Sequence, residues 1–204
     1  MYEIELKVRA DHEAIRRRLE ELSADACGAV EQRDTYYDAP MRSFAETDEA
    51  LRIRRETPIE PAAEAGETTT RITYKGPLLD AESKSRTEHE TNVDDGDTMD
   101  AILRSLGFEP AATVEKRRRR FFYDGYTVVL DTVDGLGEFL EVETDVELDD
   151  EGTPSGDRST AGGTVADHPT VVEARMGAKA VLERLGADPG EQIRTSYLGM
   201  LLDK

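Results

Sequence analysis

The chain has 204 residues, 45 acidic against 26 basic, with a formal net charge of -19 and 37% hydrophobic against 35% charged residues. That length gives one large domain or two small ones enough material for a real core. The acidic balance excludes nucleic acid and anionic membrane surfaces as general partners, because both need local positive charge. Lysine is scarcer than arginine and tryptophan is absent. A dense carboxylate surface of this kind suits molar salt, where its self-repulsion is screened, so the expected source is a halophilic archaeon, an acidic mesophilic protein being the alternative. The single cysteine, Cys27, rules out an internal disulfide and is expected to be a small buried residue between Ala26 and Gly28. The sequence opens on a charged strand rather than a signal peptide, and no apolar run approaches membrane-spanning length. A soluble, cytoplasmic protein is expected.

Tyr2 to Val8 alternates strictly: Ile4, Leu6 and Val8 fall on one face of a strand, Glu3, Glu5 and Lys7 on the other. Successive charges are about 7 Å apart, two strand rises. Carboxylates in such a row suit a hard divalent cation, and the adjacent lysine suits the phosphate that such a cation accompanies. Asp11 then caps a helix to about Ser23, striped by Ile15, Leu19 and Leu22. An extended stretch runs from Val30 to Asp38, a loop covers residues 41–49, and Leu51 to Arg55 alternates again. Residues 57–69, rich in Pro, Ala, Glu, Gly and Thr, read as a mobile hairpin connection before a strand from Arg71 to Lys75.

A further strand is expected from about Lys84 to Val93, then a helix striped by Met99, Ile102, Leu103 and Leu106 and closed by Gly107. Strands follow at Ala112 to Tyr123, Thr127 to Val133 and Gly137 to Glu147, joined by turns at Asp124-Gly125 and Asp134-Gly135. Residues 149–168 read as a flexible excursion. Thr170 and Glu173 make a capping box for a helix to Leu185, and a short helix from about Thr195 to Leu202 ends the chain. Hairpin turns dominate, so the expected class is α+β with a mainly antiparallel sheet, and the whole of 1–204 reads as a single domain.

Each alternating strand pairs an ordinary apolar face with a charged one. The basic residues are Lys7, Arg52, Arg54, Lys75, Arg86, Lys116 and Arg118; the acidic ones are Glu3, Glu5, Glu88, Glu90, Asp131, Glu141 and Glu143. Solvated faces with cross-strand ion pairs would explain any one strand. Concentration of the few cations on strands points instead to one shared cavity, which is costly unless a polyanion and metal ions fill it. A triphosphate with Mg²⁺ or Mn²⁺ complements both signs. The phase of the Lys116 to Arg120 run is open from sequence, and His12, His89 and His168 lack metal-ligand spacing.

Glu3-Ile4-Glu5-Leu6-Lys7 is similar to the ExExK signature of CYTH domains, the triphosphate tunnel metalloenzymes. The likeness continues through Asp34-Thr35-Tyr36-Tyr37-Asp38, Leu51-Arg52-Ile53-Arg54, Thr73-Tyr74-Lys75-Gly76-Pro77, Arg86-Thr87-Glu88-His89-Glu90, Glu115-Lys116-Arg117-Arg118, and Leu130-Asp131 to Glu143. It spans essentially the whole chain and looks most like the class IV (CyaB-type) adenylate cyclases. The resemblance implies a closed antiparallel eight-stranded β-barrel, a tunnel, with helices packed outside. It implies metal ligation by Glu3, Glu5, Glu141 and Glu143, with Asp131 a further candidate, and a triphosphate cradle of Lys7, Arg52, Arg54, Lys75, Arg86, Lys116 and Arg118. Tyr36 beside Lys75 is implied in activating water in a hydrolase, a core tyrosine with a satisfied hydroxyl being the alternative. The implied activity is conversion of ATP to cyclic AMP and pyrophosphate; hydrolysis of an inorganic or organic triphosphate and non-catalytic sensing of nucleotide or polyphosphate are the alternatives. A homodimer is compatible with the resemblance.

Overall fold

The computed structural model describes residues 2–44, 46–60, 66–78, 86–147 and 168–203, without the side chains of Tyr2, Glu3, Leu78, Arg86 and Thr87. Eight strands form one sheet: β1 (Tyr2–Arg9), β2 (Asp25–Asp38), β3 (Ala50–Glu60), β4 (Thr69–Leu78), β5 (Arg86–Asn92), β6 (Glu109–Tyr123), β7 (Tyr126–Val133) and β8 (Gly137–Val146). The order across the sheet is β1-β8-β7-β6-β2-β3-β4-β5, antiparallel at every pairing. The helices are α1 (His12–Glu21), α2 (Gly96–Ser105), α3 (Pro169–Arg184) and α4 (Tyr197–Leu202). The α+β class and the eight antiparallel strands are as expected.

The closed barrel is a correction. β1 pairs with β8 and β5 with β4, and no backbone pairing joins β1 to β5 among the described residues. Part of the reason lies at the outer edge of β1, where Lys7 O accepts Ile193 N at 2.7 Å. The C-terminal segment therefore occupies an edge position that barrel closure would give to a strand.

Local chemistry explains most boundaries. Asp11 Oδ1 accepts Glu13 N at 2.8 Å and Ala14 N at 3.2 Å to start α1, and Asp95 Oδ1 accepts Asp97 N and Thr98 N, both at 3.0 Å, to start α2. The β6–β7 hairpin turns on Asp124 (φ 53) and Gly125 (φ 83), the left-handed pair that a two-residue turn of matching twist requires. α3 differs from expectation. Its cap is His168, whose ring Nδ1 accepts Thr170 N at 3.3 Å, because Pro169 takes the first helical position and shifts the cap back from Thr170.

β2 begins at Asp25 rather than Val30, and it bulges between Ala26 and Ala29 with Gly28 at φ 94. Cys27 lies in that bulge and is exposed, contrary to the buried position expected. β3 runs on to Glu60 through Pro58; β4 pairs with it only as far as Glu56, so a residue without an N–H is tolerated there. The expected mobile connection thus shrinks, and residues 61–65 lie outside the described part. So do 84 and 85 of the expected fifth strand and almost all of the expected excursion at 149–168.

The sheet's outer face makes the main core. Leu6, Val8, Val128, Leu130, Leu140 and Val142 pack against Ile15 and Leu19 of α1 and Ala178, Val181 and Leu182 of α3. A second cluster places Leu103 of α2 against Tyr37, Leu51 and Ile53. Burial of this apolar area is the dominant favourable term. It also fixes register, because a one-residue slip would send every charged neighbour into this core. No helix among the described residues is long and apolar enough to cross a membrane.

Candidate active site

The alternation that turns Leu6, Val8, Leu140 and Val142 outward turns Glu5, Lys7, Glu141 and Glu143 to the opposite face. Register sets Glu5 opposite Glu143 and Lys7 opposite Glu141. Carboxylate oxygens of Glu5, Glu141 and Glu143 consequently converge within 4.8 Å of one another. Lys7 Nζ stands 3.8 Å from Glu5 and 3.9 Å from Glu141.

Arg118 of β6 ties this group to β7. Its Nε and Nη2 donate to the two oxygens of Asp131 at 2.8 and 2.6 Å, and it donates also to Glu141 and, at 3.3 Å, to Glu143. Lys116 Nζ lies 3.4 Å from Asp131. Burial opposes the ionised form of Asp131, but Arg118 and Lys116 overcome it and hold the carboxyl well below its usual range. Glu141 goes the other way. Burial and then the neighbouring Glu5 push it up to about 7, further than Arg118 pulls it down. Burial and the charge of Arg118 push Lys116 down to about 8.

The charged face continues across β2, β3 and β4. Asp34 accepts Arg54 Nε and Nη2, both at 2.6 Å, and Arg52 Nη1 at 3.3 Å. Its burial is outweighed by Arg54 and then Arg52, which hold it at about 2. Tyr36 follows on the same face; burial raises its phenol, with Arg52 and Asp34 as the nearest charges. Glu56 receives Gln32, and also Arg120 at 3.4 Å and Arg71 at 3.5 Å. Glu90 accepts Thr73 Oγ1 at 2.7 Å and Arg71 at 3.1 Å, and Lys75 pairs with Glu88.

The structure therefore brings Glu5, Glu141, Glu143, Lys7, Lys116, Arg118, Arg52 and Arg54 onto one face. It resolves the open phase: Lys116, Arg118 and Arg120 point inward, while Arg117 is exposed beside Glu31. Asp131 stands outside the glutamate trio, its oxygens engaged by Arg118 and Lys116. Glu3 and Arg86 are placed by backbone alone, in β1 opposite Asp145 and in β5 opposite Leu78; their side chains lie outside the described residues. Tyr36 and Lys75 share the face, Lys75 with Glu88 as its partner.

Sequence reasoning did not single out Asp34, Arg71, Arg120 (left undecided with the phase of its run) or Tyr197. The first three lie in phase with residues already singled out: Asp34 two before Tyr36, Arg71 four before Lys75, Arg120 two after Arg118. Tyr197 carries no such signal. It arrives from α4, where its ring lies 5.0 Å from that of Phe139 and its buried hydroxyl lies toward Glu141.

The glutamate trio fits a hard divalent cation. Three oxygen donors converge, and the buried Glu141 carries a charge that its surroundings oppose. A cation there would relieve the repulsion between Glu5 and Glu141.

The CYTH domain model matches residues 1–161. The chain belongs to the CYTH family. This CYTH domain is 35% identical over 147 residues to a Methanocaldococcus jannaschii protein provisionally named an adenylate cyclase, covering 72% of this chain and 78% of that one. It is 30% identical over 121 residues to the adenylate cyclase CyaB of Aeromonas hydrophila, covering 59% of this chain and 55% of the other. Among solved structures, a Pyrococcus horikoshii protein superposes with a TM-score of 0.78 at 34% identity, over 99% of each chain.

Proposed function

We propose that this CYTH domain converts a triphosphate substrate with a divalent metal, and that its reaction is of the adenylate cyclase type: ATP to cyclic AMP and pyrophosphate. The observation that carries the reading is the adjacency of the Glu5, Glu141 and Glu143 oxygens, within 4.8 Å, to the ammonium of Lys7 and the guanidinium of Arg118. A carboxylate cluster alone attracts cations, and a basic cluster alone attracts phosphate. Interleaved, they suit a metal–phosphate complex and little else. The cyclase-named relatives in two other organisms favour cyclisation.

Glu5, Glu141 and Glu143, with Glu3, are proposed to hold Mg²⁺ or Mn²⁺. A metal bound there would withdraw charge from phosphate oxygens in the transition state. Lys7, Lys116 and Arg118 grip the phosphates nearest that centre, and Arg52, Arg54, Lys75 and Arg86 extend the cradle across the sheet. Asp131 positions Arg118 and Lys116 rather than ligating metal. In the reaction the 3′-hydroxyl oxygen attacks the α-phosphorus, the bond to the bridging oxygen breaks, pyrophosphate leaves, and the hydroxyl proton passes to solvent or a basic group. Tyr36, held protonated by burial, serves as a donor that orients the reacting oxygens together with Lys75.

Product analysis tests the reading: ATP and, separately, tripolyphosphate are incubated with the protein in molar KCl with Mg²⁺ or Mn²⁺. Cyclic AMP and pyrophosphate from ATP, abolished by Glu5→Ala, are expected. Phosphate release without cyclic AMP would make the protein a triphosphatase, with water attacking the terminal phosphorus. Chelator-resistant tripolyphosphate binding without turnover would make it a sensor.

A further inference from the structure

α4 lies beyond the residues that the CYTH model matches, and none of the residues singled out from sequence comes from it. Its first residue nevertheless sits on the charged face. The Tyr197 ring is 8% exposed and packs edge-on against Phe139. Two ammonium groups lie over it, Lys7 Nζ at 4.4 Å and Lys116 Nζ at 5.0 Å from the ring centroid. These lysines belong to β1 and β6, with β8 and β7 between them. Strand spacing alone would separate β1 from β6 by roughly 14 Å. One ring is thus the common surface for two cations from distant strands.

The ring is held firmly. Ile193 N donates to Lys7 O at 2.7 Å, Ser196 Oγ caps α4 by accepting Gly199 N at 3.0 Å, and Leu198, Met200 and Leu201 pack against the cluster of Val114, Val133, Leu136 and Phe139. An ammonium over an aromatic face is attracted by the ring's quadrupole, the more so when water is excluded, and Lys7 and Lys116 are both buried. The ring attracts both ammonium groups through its face and draws them to one point.

We propose that Tyr197 is a positioning residue of the triphosphate site, its ring gathering Lys7 and Lys116 at one point so that they act as a single clamp on a phosphate. The inference rests on the triphosphate reading above. Fixing two long, rotamer-rich side chains before the anion arrives lowers the ordering cost of binding. The ring rather than the hydroxyl does this, since both ammonium groups lie over the ring centroid while the hydroxyl lies toward Glu141.

The test is calorimetric titration of the full chain with tripolyphosphate in molar KCl, with and without Mg²⁺, for wild type, Tyr197→Leu, Tyr197→Phe and Leu182→Ala. Turnover of ATP is followed alongside. Tyr197→Leu is expected to weaken binding about tenfold and to raise KM more than it lowers kcat, whereas Tyr197→Phe, which keeps the ring, stays within about twofold of wild type. Leu182→Ala opens a cavity in the outer-face core, away from α4 and the lysines; it should lower Tm and leave binding within about twofold. If Tyr197→Leu does not fold, Tyr197→Met, unbranched and able to fill an irregular gap but lacking the ring, carries the same expectation. Wild-type affinity in the ringless variant overturns the proposal. So does a Tyr197→Phe variant as weak as Tyr197→Leu, or a Leu182→Ala variant equally weakened. Wild type that binds no tripolyphosphate overturns the triphosphate reading itself, and this inference with it.

Discussion

Leu140, Glu141 and Val142 are consecutive on β8 and almost equally buried, at 0%, 2% and 0% exposure. Leu140 and Val142 face α1 and α3, where any apolar side chain of the right volume would be at home. Glu141 faces Glu5, Lys7 and Arg118, where its own ionisation is opposed. The outer face of the sheet is stabilised by what it removes from water. The inner face is held by mutual satisfaction among groups that would each be costly alone. The difference teaches where function can be separated from stability: on the outer face freely, on the inner face only with loss to both.

Arg118→Ala should separate the faces most sharply. It leaves Asp131 and Glu141 buried without their guanidinium partner, at a cost of about 3–5 kcal/mol. Urea denaturation would read this as a lower midpoint, and tripolyphosphate binding should disappear together with it. An Arg118→Ala protein of unchanged stability would mean that the inner network relaxes into solvent. Leu140→Ala, on the outer face, should cost about 2–4 kcal/mol through lost transfer energy and the cavity left behind. Its folded molecules should bind tripolyphosphate as wild type does. Equal loss of affinity in both variants would break the distinction between the faces.

The distinction was already visible in the sequence wherever alternation was clean. In Glu3 to Val8 and in Leu51 to Arg54 the period of two assigned every side chain to its face, and the structure keeps those assignments for each side chain it describes. The Lys116 to Arg120 run could not be phased from sequence because all its members are basic; pairing with Asp131 and Glu56 decides it. Whether the sheet closes also escaped periodicity, since edge pairing is a long-range property, and Ile193 competes for β1. Tyr197 was illegible for a related reason. Its place over Lys7 and Lys116 depends on where α4 docks, and a six-residue helix has too little periodicity to say. Cys27 was misread because its neighbours Ala26, Gly28 and Ala29 are small, as in a core strand, but Gly28 marks a bulge.

The smallest effect sharpens the comparison within the inner face itself. Asp34 is held at about 2, against an ordinary value of 3.8, because Arg54 and Arg52 overcome its burial. A carboxyl whose pKa is depressed in the folded protein contributes stability above its unfolded pKa and loses it as pH falls through the folded one. The contribution of Asp34 is therefore full at neutral pH, declines from about pH 4, and is gone below about pH 2. The shift corresponds to about 2 kcal/mol. Asp34→Asn removes that term, so the stability gap between wild type and variant should narrow by about this amount between pH 5 and pH 2, measured in molar KCl by urea denaturation. Taking the difference cancels the titration of the other acidic residues. A gap that stays constant with pH would show that Asp34 and Arg54 gain nothing from charge, and that the inner face is held there by geometry alone.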